Sequence, residues 1–558
     1  MSKPAGKGRP VQPATQKAVS AGPRQTNSTE SARTLNGTGA EKHGIVLEGK
    51  GQNEAKEMDL ESSDNKANKN APSQPEIQKE NQAQVKKDPY LVTLDGREHI
   101  NPHTWKVSYR WLLTMLGGQL VLNVAFTSTG PSQLIPAIQT YFGVSSEVGT
   151  LTISVFVAGF CIGPLLWGPL SERYGRKPIF VIAWIPYLAF STGCALSRNI
   201  ASLLVFRFLS GCFAAAPLTN VGGMIADMWD ADHRGDALAI FALAPFSGPA
   251  VAPVVAGVLA VKGISWRWMF WIETIYGGVC FGLILLVLPE TYLPYLTHKE
   301  AQKIRKETGD DGYYTEWERK NRVLTIRARL SMTILKPFIM IFEEPMLLLL
   351  TLYLSLVIGV VYLLFEALPI VFQETHHFNA FEGGLAFIAI PVGGTAAVLM
   401  YVFVINKKYM RISRAMRPKP VPPEQRLVPL MLAAPLLVFC FFLFGWTSYR
   451  SINPVAPIIA ITIFGGCSLL LFLGIFNYVI DTYLVNAASA LAISTVVRSA
   501  FGAGFPLFSA QMYHKLGTPG ASSLLGGLAI VFMPIPFLLY KYGKRVRMMS
   551  KNAIVLDR

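Results

Sequence analysis

Arginine and glutamate side chains standing inside long apolar runs are the groups of this chain best placed to do chemistry. Arg207 lies a turn or more into the run that begins near Leu203, and Arg498 lies mid-way along the run that begins near Ala487. Glu366 falls late in the run from Met346, beside Tyr362 and Phe365, and Glu273 closes the string WRWMFWIE. Charge in such surroundings is costly, and where it occurs it marks an ion pathway, a cargo contact or a pair. An acid held in hydrocarbon can exchange its charge for a proton, so Glu366 could carry a proton or bind a cationic cargo; the other reading is a carboxylate at an outer membrane interface. Arg207 either faces a bundle interior, where it would feel the proton and cargo state of a cavity, or snorkels outward. Glu273 is expected to be structural, with Arg267 nearby. Arg498 has three open roles: lining a cavity opposite Arg207, attracting an anionic cargo, or pairing with Asp481 or a free carbonyl.

A link of different character, GPLSERYGRKPIF from Gly168 to Phe180, sets Glu172, Arg173, Arg176 and Lys177 between two uncharged runs, Gly149 to Trp167 and Pro178 to Leu196. Each run is near the roughly 20 residues that one helix needs to cross hydrocarbon. Twelve such spans are predicted, six starting near Trp111, Gly149, Pro178, Leu203, Ala237 and Trp268, and six near Met346, Gly384, Leu427, Val455, Ala487 and Ser522. A charged segment separates the sets and carries Lys299, Lys303, Arg305, Lys306, Arg319, Lys320, Arg322, Arg327, Arg329 and Lys336. Cations also gather at Arg173, Arg176, Lys177, in the link Lys407 to Arg426, and from Lys541 to Lys551, all on one side if the spans alternate. The positive-inside rule then puts both termini in the cytosol.

Composition agrees: of 558 residues, 51% are hydrophobic and only 15% charged, more apolar surface than one soluble core could easily hide. The net charge of +16 would suggest nucleic acid if it were clustered in a soluble domain, but it lies in the links and reports topology. All six cysteines fall in apolar segments without paired spacing, so neither disulfides nor a metal site is expected. His376 and His377, in a short link, suggest neither metal nor catalysis. The first hundred residues are polar and poor in aromatics, the composition of a disordered tail with no cleavable signal. Asn27 and Asn36 begin glycosylation-like tripeptides that carry no weight in a cytosolic tail.

GPLSERYGRKP resembles the loop signature of the major facilitator superfamily, written there with Asp where this chain has Glu172. The resemblance implies that the loop joins the second and third helices, that Gly168 allows close helix packing, that Gly175 belongs to the same loop signature, and that Arg176 pairs with a carboxylate. Arg207 to Gly211 (RFLSG), Gly222 to Trp229 (GGMIADMW) followed by His233-Arg234-Gly235, and Leu243 to Gly257 are similar to the fourth- and fifth-helix signatures of the fungal twelve-span drug:proton antiporters. In the last of these, Gly248, Pro249 and Gly257 remain, while Ala252 and Ala256 replace the usual glycines. The likeness continues through FEALPIVF (Phe365 to Phe372), Leu471 to Ala492, Arg498 to Phe508 and Pro534 to Gly543. It implies a latch in which Asp227 pairs with Arg176 and Glu172 caps the eleventh helix near Ala487, holding the two halves closed on the cytoplasmic side.

The expected fold is an all-α polytopic membrane protein. Residues 1–105 form a disordered tail, 106–289 the first six-helix bundle, 290–345 a central loop, 346–541 the second bundle and 542–558 a cytoplasmic tail. The expected function is proton-coupled export of a small organic compound by a monomer in the plasma or vacuolar membrane, with no cofactor, metal or nucleic acid. No phosphate-cradling GxxxxGK[ST] loop is present, so the energy must come from a gradient. A proton-coupled uptake porter would be expected to repeat the charged glycine loop after the eighth span, and Lys407 to Arg426 is basic and proline-bearing without that repeat. A nutrient sensor that keeps the fold without turnover is the other rival. An enzyme would need convergent His, Asp or Ser groups at one face, and none appears.

Overall fold

The structure, a computed structural model, describes residues 90–94, 98–322, 326–416 and 421–553. The tripeptides at Asn27 and Asn36 and most of the 1–105 tail lie outside the described residues, as do the side chains of Lys320, Arg322, Arg327 and Arg329. Ten long apolar stretches follow one another: α1 Val107–Phe142, α2 Ser146–Tyr174, α3 Arg176–Ala195, α4 Ile200–Met228, α5 His233–Val261, α6 Arg267–Leu286, α7 Pro345–Thr375, α8 Ala380–Met416, α9 Pro423–Thr447 and α10 Val455–Tyr483. The eleventh stretch, Ala487–Met549, runs for 63 residues, far more than one crossing can use. It divides at Gly517, whose φ of 69° and ψ of 161° leave helical geometry. This gives α11 (487–516) and α12 (518–549), and hence the twelve spans read from hydropathy.

Local sequence explains the ends. Proline stands in the first turn of α7 and of α9, where its missing N–H costs nothing. Gly143, with φ of 65°, closes α1 in the left-handed cap only glycine takes freely. Within α1 the helix is interrupted at Gly130-Pro131, since Pro131 has no amide to give to the carbonyl of Thr127. Small residues let helices meet in both halves: Gly211 of α4 lies on the backbone of Phe156 in α2, and Gly465 of α10 lies on that of Ile390 in α8. The same helix pair in each half thus uses the same device.

The central segment is helical at Leu293–Thr308, Glu316–Arg322 and Ile326–Glu343. Glu318 joins the first two helices, accepting from Arg305 at 2.6 Å beside His298 at 2.8 Å. Burial pushes its carboxyl up, but Arg305, the Thr315 amide and His298 outweigh that and hold it below its ordinary range. The disordered tail was expected to reach residue 105, yet Tyr90 and Val92 exchange backbone bonds with Tyr314 and Leu94 is buried. A short apolar patch, LVTL, gives that part of the chain something to bury.

Spans alternate, so one face carries the Gly168–Phe180 link, the central segment and the end of α12; it is called the basic face here.

Candidate functional site

Between the two halves lies a cavity of about 560 Å³, reaching from the basic face to mid-depth. Val121, Ala125 and Pro249 of the first half face Tyr362 and Arg498 of the second at its deep end. Phe246, Phe472 and Phe476 form an aromatic wall shared by both halves, with ring centroids 6.0 Å apart for the first two and 5.3 Å for the second two. Glu172, Arg176, Arg234 and Lys336 stand toward the mouth.

Toward the opposite face the halves close on each other. Gly257 of α5 lies on the backbone of Ala380 and Phe381 at the start of α8, leaving no room for a Cβ, and Gly384 lies as tightly on Pro253. Gln373 donates to Gln133 at 2.6 Å and Gln511 to Glu147 at 3.0 Å. Nearer the cavity, the hydroxyls of Tyr362 and Ser128 share a bond of 3.2 Å, and half-buried Glu366 meets the Thr150 hydroxyl at 3.0 Å. Glu366 therefore stands in the seam behind the cavity and is not among its lining residues. Gly248, by contrast, packs within the first half, on Leu122 and Phe126 of α1.

At the basic face, Gly175 takes φ of 89°, and a Cβ there would strike Glu290. Arg176 follows as the first residue of α3. Its Nε donates to Asp227 at 3.1 Å and another guanidinium nitrogen to Ser171 at 2.6 Å, while Ser171 contacts Asn220 at 2.9 Å. Glu290, just after α6, accepts the backbone N–H groups of Arg176 and Lys177 at 2.8 and 3.2 Å and so caps α3. From sequence, residue 290 is only where the central 290–345 loop begins.

The Arg176–Asp227 pair forms, but both residues belong to the first half, so by itself it bridges nothing. Glu172 makes no hydrogen bond to the first turn of α11 among the described residues, because the cavity separates the halves there. The residue before that turn is Asn486, which accepts from Lys336. Arg173 lies over the ring of Tyr174, 5.2 Å from its centroid. Gly168 lines the cavity, and a Cβ on it would make an ordinary 3.5 Å contact with Thr219, so close packing is not what fixes a glycine there. In the second half, Arg426 donates to Asp481 at 2.7 Å. These residues sit at the start of α9 and the end of α10, as Arg176 and Asp227 sit at the start of α3 and the end of α4. Asp481 is therefore taken and does not pair with Arg498.

Arg207 is buried within the first half, apart from the cavity lining. Its Nε donates to Thr152 at 2.8 Å, and its two terminal nitrogens donate to Thr127 at 3.0 Å and Ser128 at 3.1 Å. The Thr127 carbonyl is the one that Pro131 leaves without a helical donor. The guanidinium lies over Phe156, 4.3 Å from the ring centroid, and 3.7 Å from Glu273, whose carboxylate takes no hydrogen bond among the described residues. Glu273 had been set beside Arg267, but Arg267 instead donates to Ser197 and Tyr141 and covers Trp266. The signal was depth: Arg207 and Glu273 each lie about two helical turns from the same end of their spans.

Arg498 is the opposite case. It lines the deep cavity near Tyr362, with the Phe472 ring centroid 5.4 Å away, and makes no hydrogen bond or ion pair among the described residues.

Twelve spans around a cavity that opens to one face define a membrane transporter. The chain belongs to the Major Facilitator Superfamily, whose family profile matches residues 115–506. It is similar to the Major facilitator superfamily multidrug transporter mdrA of Aspergillus fumigatus, at 40% identity over 85% of this chain and 77% of that protein. It is 39% identical to the efflux pump FUB11 of Gibberella moniliformis over 80% of this chain and 74% of that one. The MFS-type efflux pump MFS2 of Trichophyton rubrum is 40% identical, over 84% and 78% of the two chains. Among solved structures, the proton:xylose symporter XylE shares the fold with a TM-score of 0.55 at 14% identity, covering 78% of this chain and 96% of that one. The human organic anion transporter MFSD10 does so with 0.53 at 18%, covering 77% and 100%.

Proposed function

We propose that this protein exports small organic compounds from the cytosol, across the plasma or vacuolar membrane, by alternating access driven by inward proton movement. The observation that carries the reading is the one-sided cavity: aromatic-walled, reaching mid-depth, open at the basic face and closed behind by contacts between the halves. The positive-inside rule makes the basic face cytoplasmic, so this is the loading state. The names of the fungal relatives support the outward direction. One chain encloses the whole cavity, which fits a monomer.

Glu366 is the proton carrier in this reading. The Thr150 hydroxyl contacts both the Ser146 carbonyl, at 3.1 Å, and Glu366, at 3.0 Å. Thr150 has one proton to donate, so both contacts are hydrogen bonds together only when Glu366 brings a proton of its own. A proton taken from outside would thus favour closure of the outer seam and opening of the cytoplasmic mouth; its loss would allow the reverse. Arg207 and Glu273 form a charged core that keeps the first half rigid while it rocks, with Gly248 and Pro249 at the α1–α5 contact and Gly257 at the seam. Gly168, Glu172, Arg173, Gly175, Arg176 and Asp227 shape the mouth that must close against α11 when the protein turns outward.

Inside-out vesicles with an acidic lumen test the reading with a panel of neutral, cationic and anionic dyes. Accumulation that a protonophore collapses is the expected result. A panel that equilibrates without responding to the gradient would refute it.

A further inference from the structure

The two membrane arginines are finished differently. Arg207 has a hydrogen-bond acceptor for each of its three nitrogens and Glu273 beside it, whereas Arg498 lines the cavity near Tyr362 and Phe472 and makes no hydrogen bond or ion pair among the described residues. A guanidinium keeps its charge and has five N–H donors arranged to hold a carboxylate by two bonds. Holding it at mid-membrane without an acid is expensive, and the cost is offset when a ligand brings the missing charge.

The rest of the cavity agrees. Arg234, Lys336 and Arg498 line it, together with Arg176, whose charge Asp227 already meets, against a single lining carboxylate, Glu172, which stands near the mouth. Cations at the entrance and at the deep end give the path one sign of field, and low-dielectric walls focus it. Beside Arg498, Phe472 stacks on Phe476 and meets Phe246 edge-on, a surface suited to a flat apolar body rather than to a hydrated ion. Tyr362 adds a hydroxyl at the same depth.

We propose that the cargo is an amphipathic organic anion, an aromatic or apolar body bearing a carboxylate, whose charge is received by Arg498 while its body lies along Phe246, Phe472 and Phe476. The assignment rests on the export reading above and adds the substrate class to it. It also fits the energetics: an anion leaving the cytosol as a proton enters moves charge in the direction that an inside-negative membrane potential favours.

Three probes of one shape separate the possibilities: naphthylacetate, naphthylacetamide and naphthylethylamine, followed by tryptophan quenching of the purified protein and by transport in proteoliposomes under a proton gradient. The wild-type protein should prefer the carboxylate to the amide by about tenfold or more, the span of a charge-assisted bond. In Arg498→Gln the carboxylate-to-amide ratio should fall toward one, and Arg498→Lys should keep part of it, since a point charge replaces the two-pronged donor. Because the readout is a ratio within one preparation, partial misfolding does not imitate it. Wild-type protein that moves amide and amine but ignores the carboxylate would overturn the anion assignment and leave export standing. If none of the probes, nor any dye of the panel, follows the gradient, export falls and this assignment with it. A ratio unchanged in Arg498→Gln would remove Arg498 as the selecting group.

Discussion

Replacing Glu273 by Gln should destabilise the protein more than its small change in shape suggests. The carboxylate lies 3.7 Å from Arg207, and both side chains are about 1% exposed. At an effective dielectric of about 20, two unit charges at that distance attract by about 4–5 kcal/mol, and removing one partner of a buried pair typically costs about 3–5 kcal/mol. Glutamine keeps the volume, and the guanidinium keeps its three carbonyl acceptors, so the loss should fall near the lower end, about 3 kcal/mol. Relaxation offers little relief, because the Glu273 carboxylate occupies the space that Gly130 leaves open, beside Arg207. Arg207 cannot shed its charge in response, whereas an unpaired acid can take up a proton. Thermal midpoints of Glu273→Gln, Arg207→Met and the double variant, measured in the same detergent, form the cycle. Both single variants should melt lower than wild type, and the double variant should lose clearly less than the sum of the two. Strict additivity, or a Glu273→Gln protein that melts with wild type, would show that the two charges do not depend on each other and would refute the pairing argument.

Glu366→Gln should flatten the response to outside pH. In wild type, acidifying the outer side should raise labelling of cysteines placed at the cytoplasmic mouth, because the protonated form satisfies the outer seam; a variant that still responds would exclude Glu366 as the carrier. Gly257→Leu should hold the outer seam open, since a Cβ already strikes the backbone of Ala380, and should raise outside labelling near Gln133 and Gln373 while transport is lost. Gly175→Ala should cost about 1–3 kcal/mol through its left-handed backbone and its clash with Glu290, and Glu290→Ala should lower the melting midpoint by uncapping α3. Arg176→Gln or Asp227→Asn should weaken the rim that meets α11 in the outward-facing form and shift labelling toward the cytoplasmic mouth; unchanged labelling would separate the pair from gating.

The hydropathy of the chain made the twelve spans readable because a bilayer imposes one length on every crossing. Starts read at Met346, Val455 and Ala487 fall within a residue of the helices that form. The loop at Gly168 to Phe180 was readable for a similar reason: its charges are conspicuous between two uncharged runs. Pairing was harder. Glu273 was assigned to Arg267 because the two are neighbours in sequence and share an aromatic string, yet helix geometry turns Arg267 toward Tyr141 and Ser197 and Glu273 inward to Arg207. Glu290 was missed because a cap acts through backbone N–H groups, which leave no trace in side-chain pattern. The place of Glu366 behind the cavity, and of Arg498 inside it, depends on how the two halves meet, and hydropathy says nothing about that contact.

The second half shows how far a motif can erode while its geometry persists. Its link between α8 and α9 lacks the glycines of the first-half loop, and its one acid, Glu424, is taken by Arg547, yet Arg426 meets Asp481 at 2.7 Å just where Arg176 meets Asp227 at 3.1 Å. Each pair ties the start of the third helix of its half to the end of the fourth. Around it, the surroundings diverge. Arg176 also bonds Ser171 and faces the cavity mouth, while Arg426 is stacked against Tyr409, 3.7 Å from its ring centroid, and does not line the cavity. A shared clamp in different surroundings predicts different duties for the two halves: the first-half rim would respond to what enters the cavity, and the second-half clamp would only brace. Exchanging the acid and the base should separate these duties. The swap Arg426→Asp with Asp481→Arg should retain transport if bracing is all the pair supplies, whereas Arg176→Asp with Asp227→Arg should impair transport even with the ion pair restored, because an acid would then stand at the mouth where an arginine meets the entering cargo.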